Sequence, residues 1–184
     1  MNDINGLSKY FSYLLRHHPE ELDLSMDNAG WVSVDELIEK VNRNRNFNID
    51  INTIKEVVAR NNKQRFALKQ CGDDLYIRAN QGHSIKNLNV GYEPIMPPDI
   101  LYHGTAKKSE NSIRSKGLLK MSRQYVHLSS DFSVAISVGQ RHGKVVVFEV
   151  DSKRMFQDGI KFYRSENGVW LTDYVSPKYL KKIF

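Results

Sequence analysis

Arg16, His17 and His18 stand together where an amphipathic run ends, and Pro19 prevents a helix from continuing past them. Such side chains complement the negative end of a helix dipole, and three together also make a grip for phosphate oxygens. Leu101-Tyr102-His103-Gly104-Thr105 is a short apolar run ending in an imidazole, a glycine and a hydroxyl, just after Pro97 and Pro98. A strand followed by a glycine turn would hold His103 at a cleft rim and let a ligand approach the backbone at Gly104. Between these lie Arg65 and Arg78, the latter followed by Ala79-Asn80-Gln81-Gly82-His83-Ser84, which reads either as a solvated loop or as a second wall of the cleft. The six histidines show neither HExxH spacing nor paired carboxylates, and His17 and His18 point in different directions on a helix, so no catalytic metal is expected. Neither GxxxxGK[ST] nor GxGxxG occurs, which argues against a P-loop kinase and a Rossmann enzyme. What remains is chemistry that depends on cations and positioning more than on an activated nucleophile.

The composition fits that bias. Against 21 Asp and Glu stand 27 Lys and Arg, a formal net charge of +6, which favours nucleic acid or a phosphorylated ligand as partner. A hydrophobic fraction of 40% supplies a core for one domain or two small ones. The single cysteine, Cys71, excludes an intrachain disulfide and a cysteine-based metal cluster; it fits a reducing compartment and is expected as a buried or half-buried thiol. No apolar run follows a basic start, and none approaches the roughly 18 residues a membrane span needs. A cytoplasmic monomer with no membrane partner is expected.

The elements that must position these residues follow from periodicity. Leu7, Tyr10, Phe11, Leu14 and Leu15 predict a helix over residues 4–17. Gly30-Trp31-Val32 reads as a short strand, and Ser33 with Glu36 forms a capping-box pattern opening a helix through about residue 41, with Trp31 and Leu37 in the core. After a polar loop over 42–48, Asp50 or Asn52 caps a third helix that buries Ile54, Val57 and Val58 and stops at Asn61-Asn62. Segments 65–68 and 75–78 pair across Gly72-Asp73-Asp74 as a hairpin. Three helices and a two-stranded wing predict a winged helix. Its third helix, which in such folds ordinarily enters a DNA groove, offers Lys55, Arg60 and Lys63, a thin set for base readout.

Residues 87–98 hold Gly91, Pro94, Pro97 and Pro98 and little periodicity, which places a domain boundary there. Beyond it the opening strand leads to a helix over 106–116 ended by Gly117, and 125–128 forms a strand. Ser129-Ser130-Asp131 caps a helix with Val134, Ala135 and Val138 inward, 145–150 lies at the sheet centre, and 161–164 pairs with 169–172 across Glu166-Asn167-Gly168. The class is α+β, with a winged-helix lobe over 1–90 and a small split sheet with flanking helices over 99–184.

LLRHHP at 14–19, KQRF at 63–66, IRANQGHS at 77–84, LYHGT at 101–105, the 123–129 segment, RHGKVVVFEVD at 141–151 and NGVWLT at 167–172 resemble, in identity and order, the motifs of the RNA 2′-phosphotransferase (tRNA 2′-phosphotransferase) family. The resemblance spans nearly the whole chain. It implies that the N-terminal winged-helix lobe binds an RNA 2′-phosphate and that the C-terminal lobe is of the ADP-ribosyltransferase type and takes NAD. It implies a transferase of tRNA splicing and tRNA processing that removes an internal RNA 2′-phosphate without a metal. First the phosphate attacks the anomeric carbon of the NAD ribose and expels nicotinamide, leaving an ADP-ribosylated 2′-phospho-RNA. Then the ribose 2″-hydroxyl attacks phosphorus and releases 2′-hydroxyl RNA and ADP-ribose 1″,2″-cyclic phosphate. NAD is consumed as a co-substrate.

By the same resemblance Arg16, His17, Arg65 and Arg123 are the catalytic set. Arg16 and Arg65 hold the phosphate through bidentate charge-assisted bonds, His17 donates to it or moves a proton, and Arg123 stabilises charge developing on phosphoryl or pyrophosphate oxygens. His103, Gly104, Thr105, Ser129 and Arg141 fall to NAD, and Arg78, Gln81 and His83 to the RNA. Two departures stand out. Tyr125 replaces the first histidine of the HVHLS string found in many members, and the glutamate familiar from many ADP-ribosylating toxins has no counterpart where Val169 and Trp170 stand. His127 either faces the site or packs inside, and Trp170 is placed in the core. Two other readings stay open: an ADP-ribosyltransferase that stops after the first step on a terminal nucleic-acid phosphate or a protein, and a non-catalytic winged-helix nucleic-acid binder.

Overall fold

The computed structural model describes residues 3–45, 47–61, 63–85 and 88–184. Asn46, Asn62 and Asn87, which the expected loop, helix stop and boundary segment include, lie outside the described residues. The chain divides into two compact units, Met1–Gly91 and Tyr92–Phe184, each with an apolar core of its own.

In the first unit α1 (Ile4–Arg16) starts at Asp3, whose carboxylate accepts the Asn5 amide, and buries Leu7, Phe11, Leu14 and Leu15. These lie at i, i+4, i+7 and i+8, one apolar stripe. A 3-10 turn (Pro19–Leu22) follows, then β1 (Val32–Ser33) and α2 (Val34–Arg45). Only half of the expected capping box forms. Ser33 Oγ accepts the Glu36 amide at 3.5 Å, but the Glu36 carboxylate turns to the Ser25 amide and Lys40. This helix continues through residues 42–45, where a loop was expected. The asparagines are accommodated because the Asn42 side chain exchanges bonds with the Ile49 backbone at 2.8 and 2.9 Å and Asn44 donates to the Lys40 carbonyl at 2.9 Å.

In α3 (Ile51–Ala59) the capping box is complete: Asp50 accepts the Thr53 amide at 2.8 Å and the Thr53 hydroxyl meets the Asp50 amide at 3.4 Å. β2 (Phe66–Cys71) and β3 (Asp74–Ala79) make an antiparallel hairpin, and β1 pairs on the far side of β3. Cys71 is exposed, not buried, because it lies at the hairpin tip beyond the core. Trp31 is half-exposed as well: Val32 takes the buried position, and the Trp31 ring lies 4.6 Å from the Arg78 guanidinium.

The second unit runs β4 (Leu101–Ala106), a 3-10 turn (Lys107–Ser109), α4 (Glu110–Lys116), β5 (Leu118–Leu119), β6 (Val126–Leu128), α5 (Phe132–Gln140) and β7 (Val145–Val150). Then come α6 (Ser152–Gln157), β8 (Tyr163–Arg164), β9 (Trp170–Thr172), β10 (Tyr174–Val175), a second 3-10 turn (Pro177–Tyr179) and β11 (Leu180–Lys182). β7 is the central strand between β4 and β11; β6-β9-β8 and β10-β5 form two smaller sheets. Ala106 completes β4 instead of opening a helix.

The face of α5 differs from the expected one. Val134 and Val138 are 48% and 37% exposed, whereas Ala135 and Gly139 face the sheet. Close approach is the cause. A Cβ on Gly104 would stand 1.6 Å from the Ala135 carbonyl oxygen, and one on Gly139 would stand 2.5 Å from a Val145 methyl. Gly104 therefore does not form a turn: it lies inside β4 opposite Val147, and its missing side chain admits the helix. All strand pairings among the described residues are antiparallel, so the class is α+β with small sheets. Among these residues no helix is long and apolar enough to cross a membrane.

Candidate functional site

In the first unit α1 carries Arg16 in its last turn and His17 at its C-cap, held in place because Leu14 and Leu15 are sealed in the core. His17 Nδ1 meets the Ser84 hydroxyl at 2.9 Å, whereas His18 turns to Glu20 at 2.9 Å, so the adjacent imidazoles diverge. The loop over 80–84 anchors the main chain of two cationic residues at once. Ser84 N donates to the Arg16 carbonyl at 2.9 Å, and Asn80 N donates to the Arg65 carbonyl at 2.8 Å. Gly82, at φ 86°, lies beside the Arg16 side chain, where an added Cβ would stand 3.7 Å from Cδ and Nη1. Only glycine takes that φ without strain.

The Arg65 guanidinium donates to Asn61 Oδ1 at 3.2 Å, and Asn61 Nδ2 donates to Ser8 Oγ on α1 at 2.9 Å. Its partner is a neutral amide, which orients the guanidinium without neutralising it. Asn80 Nδ2 donates to the Gln64 carbonyl at 2.7 Å and so pins a residue whose own φ is 42°.

Arg78 and His83 lie beneath this surface. Arg78, 9% exposed, gives Nη1 to the carbonyls of Ala29 and Val90 at 3.4 and 3.3 Å. His83 is 2% exposed, and no described residue hydrogen-bonds its Nε2. Burial, followed by the charges of Arg16, Arg78 and His17, pushes its pKa down to about 4, so it is neutral at pH 7. Gln81 is half-buried on the loop. The 79–84 segment is thus a packed wall and not a solvated loop.

In the second unit β4 and β6 are joined by a reciprocal pair, Tyr102 N to Ser129 O at 2.7 Å and Ser129 N to Tyr102 O at 2.9 Å. That bridge sets His103 Nδ1 3.0 Å from the His127 carbonyl. A carbonyl only accepts, so Nδ1 carries the proton. Burial lowers the His103 pKa below its usual value, and Nε2 is left as the acceptor of a neutral ring. Arg123 donates to His127 Nδ1 at 2.8 Å. Although Arg123 is open to solvent over much of its surface, protein packed around the guanidinium pulls its pKa below the ordinary arginine value. Ser129 Oγ closes the turn into α5, donating to the Asp131 carbonyl and accepting its amide, both at 3.0 Å.

The structure therefore brings His103, Arg123, His127 and Ser129 to one place in the second unit, and Arg16, His17 and Arg65 onto one loop in the first. Thr105 shares a face of β4 with His103. Gly104 is given over to α5, and Arg141 stands apart, exposed at the C-cap of α5. Tyr125 packs between the rings of Tyr92 and Tyr163, at 6.1 and 5.3 Å, and burial raises its phenol pKa. Trp170 is a core residue, 6% exposed. Among the described residues no three His, Cys, Asp or Glu side chains group as metal ligands would. Asn61, Asn80, Ser84 and Ser8 act as supports that the sequence does not mark: Asn61 shows there only as a helix stop, and Asn80 and Ser84 only as letters of a motif.

Residues 2–174 match the family model described as RNA 2′-phosphotransferase, Tpt1 / KptA family. The chain is 47% identical over 180 residues to a probable RNA 2′-phosphotransferase of Acaryochloris marina, covering 98% of this chain and 97% of that one. It is 49% identical over 177 residues to a protein of the same description from Nostoc punctiforme, covering 96% of each. For one from Fusobacterium nucleatum the identity is 45% over 181 residues, covering 98% of each. With a match of that length and relatives of that similarity, the chain belongs to the RNA 2′-phosphotransferase, Tpt1 / KptA family.

Proposed function

We propose that this chain is an NAD-dependent RNA 2′-phosphotransferase. It removes an internal RNA 2′-phosphate through an ADP-ribosylated 2′-phospho-RNA and yields 2′-hydroxyl RNA, nicotinamide and ADP-ribose 1″,2″-cyclic phosphate. The observation that carries the reading is family membership over residues 2–174, in a chain whose Arg16 and Arg65 are anchored to a single loop. In this reading residues 1–90 are a winged-helix lobe that binds RNA and residues 99–184 an ADP-ribosyltransferase-like lobe that binds NAD.

Arg16 and Arg65 take the phosphate oxygens in forked, charge-assisted bonds, and His17, steadied at Nδ1 by Ser84, donates to the same group. Arg78 and His83, being buried, support the loop rather than touch RNA. The donors of the second unit suit a dinucleotide: a guanidinium for pyrophosphate oxygens, and neutral His103, whose Nε2 accepts from a ribose hydroxyl. Thr105 and Ser129 add hydroxyls. When bound, NAD supplies an anomeric carbon with nicotinamide as its leaving group. Arg123, oriented by His127, stabilises negative charge that develops on phosphoryl oxygens, where a fixed donor acts most strongly.

A synthetic RNA bearing one internal 2′-phosphate, incubated with and without NAD and followed by mass analysis, tests the proposal. The expected products are dephosphorylated RNA and ADP-ribose cyclic phosphate, formed only with NAD. A stable ADP-ribosyl adduct as end product would replace the reading with a one-step transferase.

A further inference from the structure

In the first unit α1 and α3 border an open cavity of about 190 Å³, and Arg65 is one of its walls. Arg60 and Lys63, both exposed, form its rim, and Ile4 and Val57 give it an apolar floor. Asn61, 7% exposed, fixes the wall between the cations, since it accepts from the Lys63 amide and from Arg65, both at 3.2 Å. Arg60 pairs with Glu56 at 3.0 Å, an exposed contact with which a phosphate competes readily. Neither Arg60 nor Lys63 belongs to the proposed catalytic set.

We infer that this cavity binds a flanking nucleotide of the RNA, one beyond the dinucleotide step that carries the 2′-phosphate. Its phosphodiester lies on Arg60 and Lys63 and its nucleoside against the half-buried Ile4. The inference rests on the proposed function, because Arg65 joins the two sites: an RNA whose 2′-phosphate is held by Arg65 carries its neighbouring nucleotides within reach of the same cavity. The paired cationic rim and apolar floor match the two chemical faces of a nucleotide.

The test compares a 2′-phosphorylated dinucleotide with a decamer carrying one central 2′-phosphate, using the unmodified chain, the double variant Arg60→Ala/Lys63→Ala, and Lys63→Glu. Turnover is measured alongside decamer binding by fluorescence anisotropy. The double variant is expected to weaken decamer binding and raise its KM about tenfold with kcat unchanged, to leave the dinucleotide untouched, and to flatten the salt dependence of decamer binding by about 0.7 log units per log unit of salt, the share of one phosphate on a single strand. Lys63→Glu is expected to act in the same direction. Equal effects on both RNAs, or none on the decamer, overturn the inference. So does tight binding of duplex DNA that the double variant alone loses while decamer binding persists, which would make α3 a groove reader. If the unmodified chain turns over neither RNA, the proposed function fails, and anisotropy of the decamer still judges the cavity.

Discussion

Lowering the pH from 7 to 5 is expected to cost the first unit about 2 kcal/mol through His83 alone. The folded protein holds this imidazole at a pKa of about 4, chiefly by burial and further by the positive charges of Arg16, Arg78 and His17. In the unfolded chain it titrates at an ordinary histidine value, about 6.5. Between those two values the unfolded state binds a proton that the folded state refuses. The stability is therefore fully present above pH 6.5 and is lost as the pH falls toward 4, at up to about 1.4 kcal/mol per pH unit. Urea unfolding followed by Trp31 fluorescence, in a Trp170→Phe background so that the signal comes from the first unit, reads this directly. His83→Gln removes the titrating group, so the difference in pH slope between the parent and His83→Gln isolates its share from the other histidines. An imidazole proton resonance of His83 that titrates near pH 6.5 in the folded protein, or parallel pH slopes in the two variants, refutes the argument.

Arg16→Ala, Arg65→Ala and Arg123→Ala are each expected to lower turnover of 2′-phosphorylated RNA by about a hundredfold or more, with circular dichroism unchanged; wild-type turnover in all three would misplace the site. Asn61→Ala frees the Arg65 guanidinium from its orienting acceptor and is expected to reduce kcat about tenfold, as read by steady-state kinetics, while Asn61→Asp keeps an acceptor but neutralises the cation and raises KM for RNA instead. Gly104→Ala drives a methyl group into the Ala135 carbonyl and is expected to destabilise the second unit by about 3 kcal/mol or more, visible as a lowered Tm.

Where a cap or an uninterrupted apolar run dictates local structure, the sequence was readable. Asp50 with Thr53 announces α3, and the run 145–150 announces the central strand, because each signal acts within a few residues. Tertiary approach was not readable. Val134 and Val138 are the larger apolar residues of α5, yet the helix sits so close to β4 that only Ala135 and Gly139 fit against it. Polar residues 42–45 looked like a loop because the bonds of Asn42 to Ile49 belong to the folded chain and not to any local propensity. The cations of the first unit stood out by type and motif. Their supports did not, since Ser8 and Asn61 are 53 residues apart in sequence, and His17 and Ser84 are 67 apart.

The loop over 80–84 has a fixed arc. It reaches one guanidinium-bearing residue with its first amide and the other with its last, so its length matters more than most of its letters. A single residue inserted between Asn80 and Ser84 must either bulge out of this arc or release one of the two anchors, and in the second case one of the arginines would drift from its station.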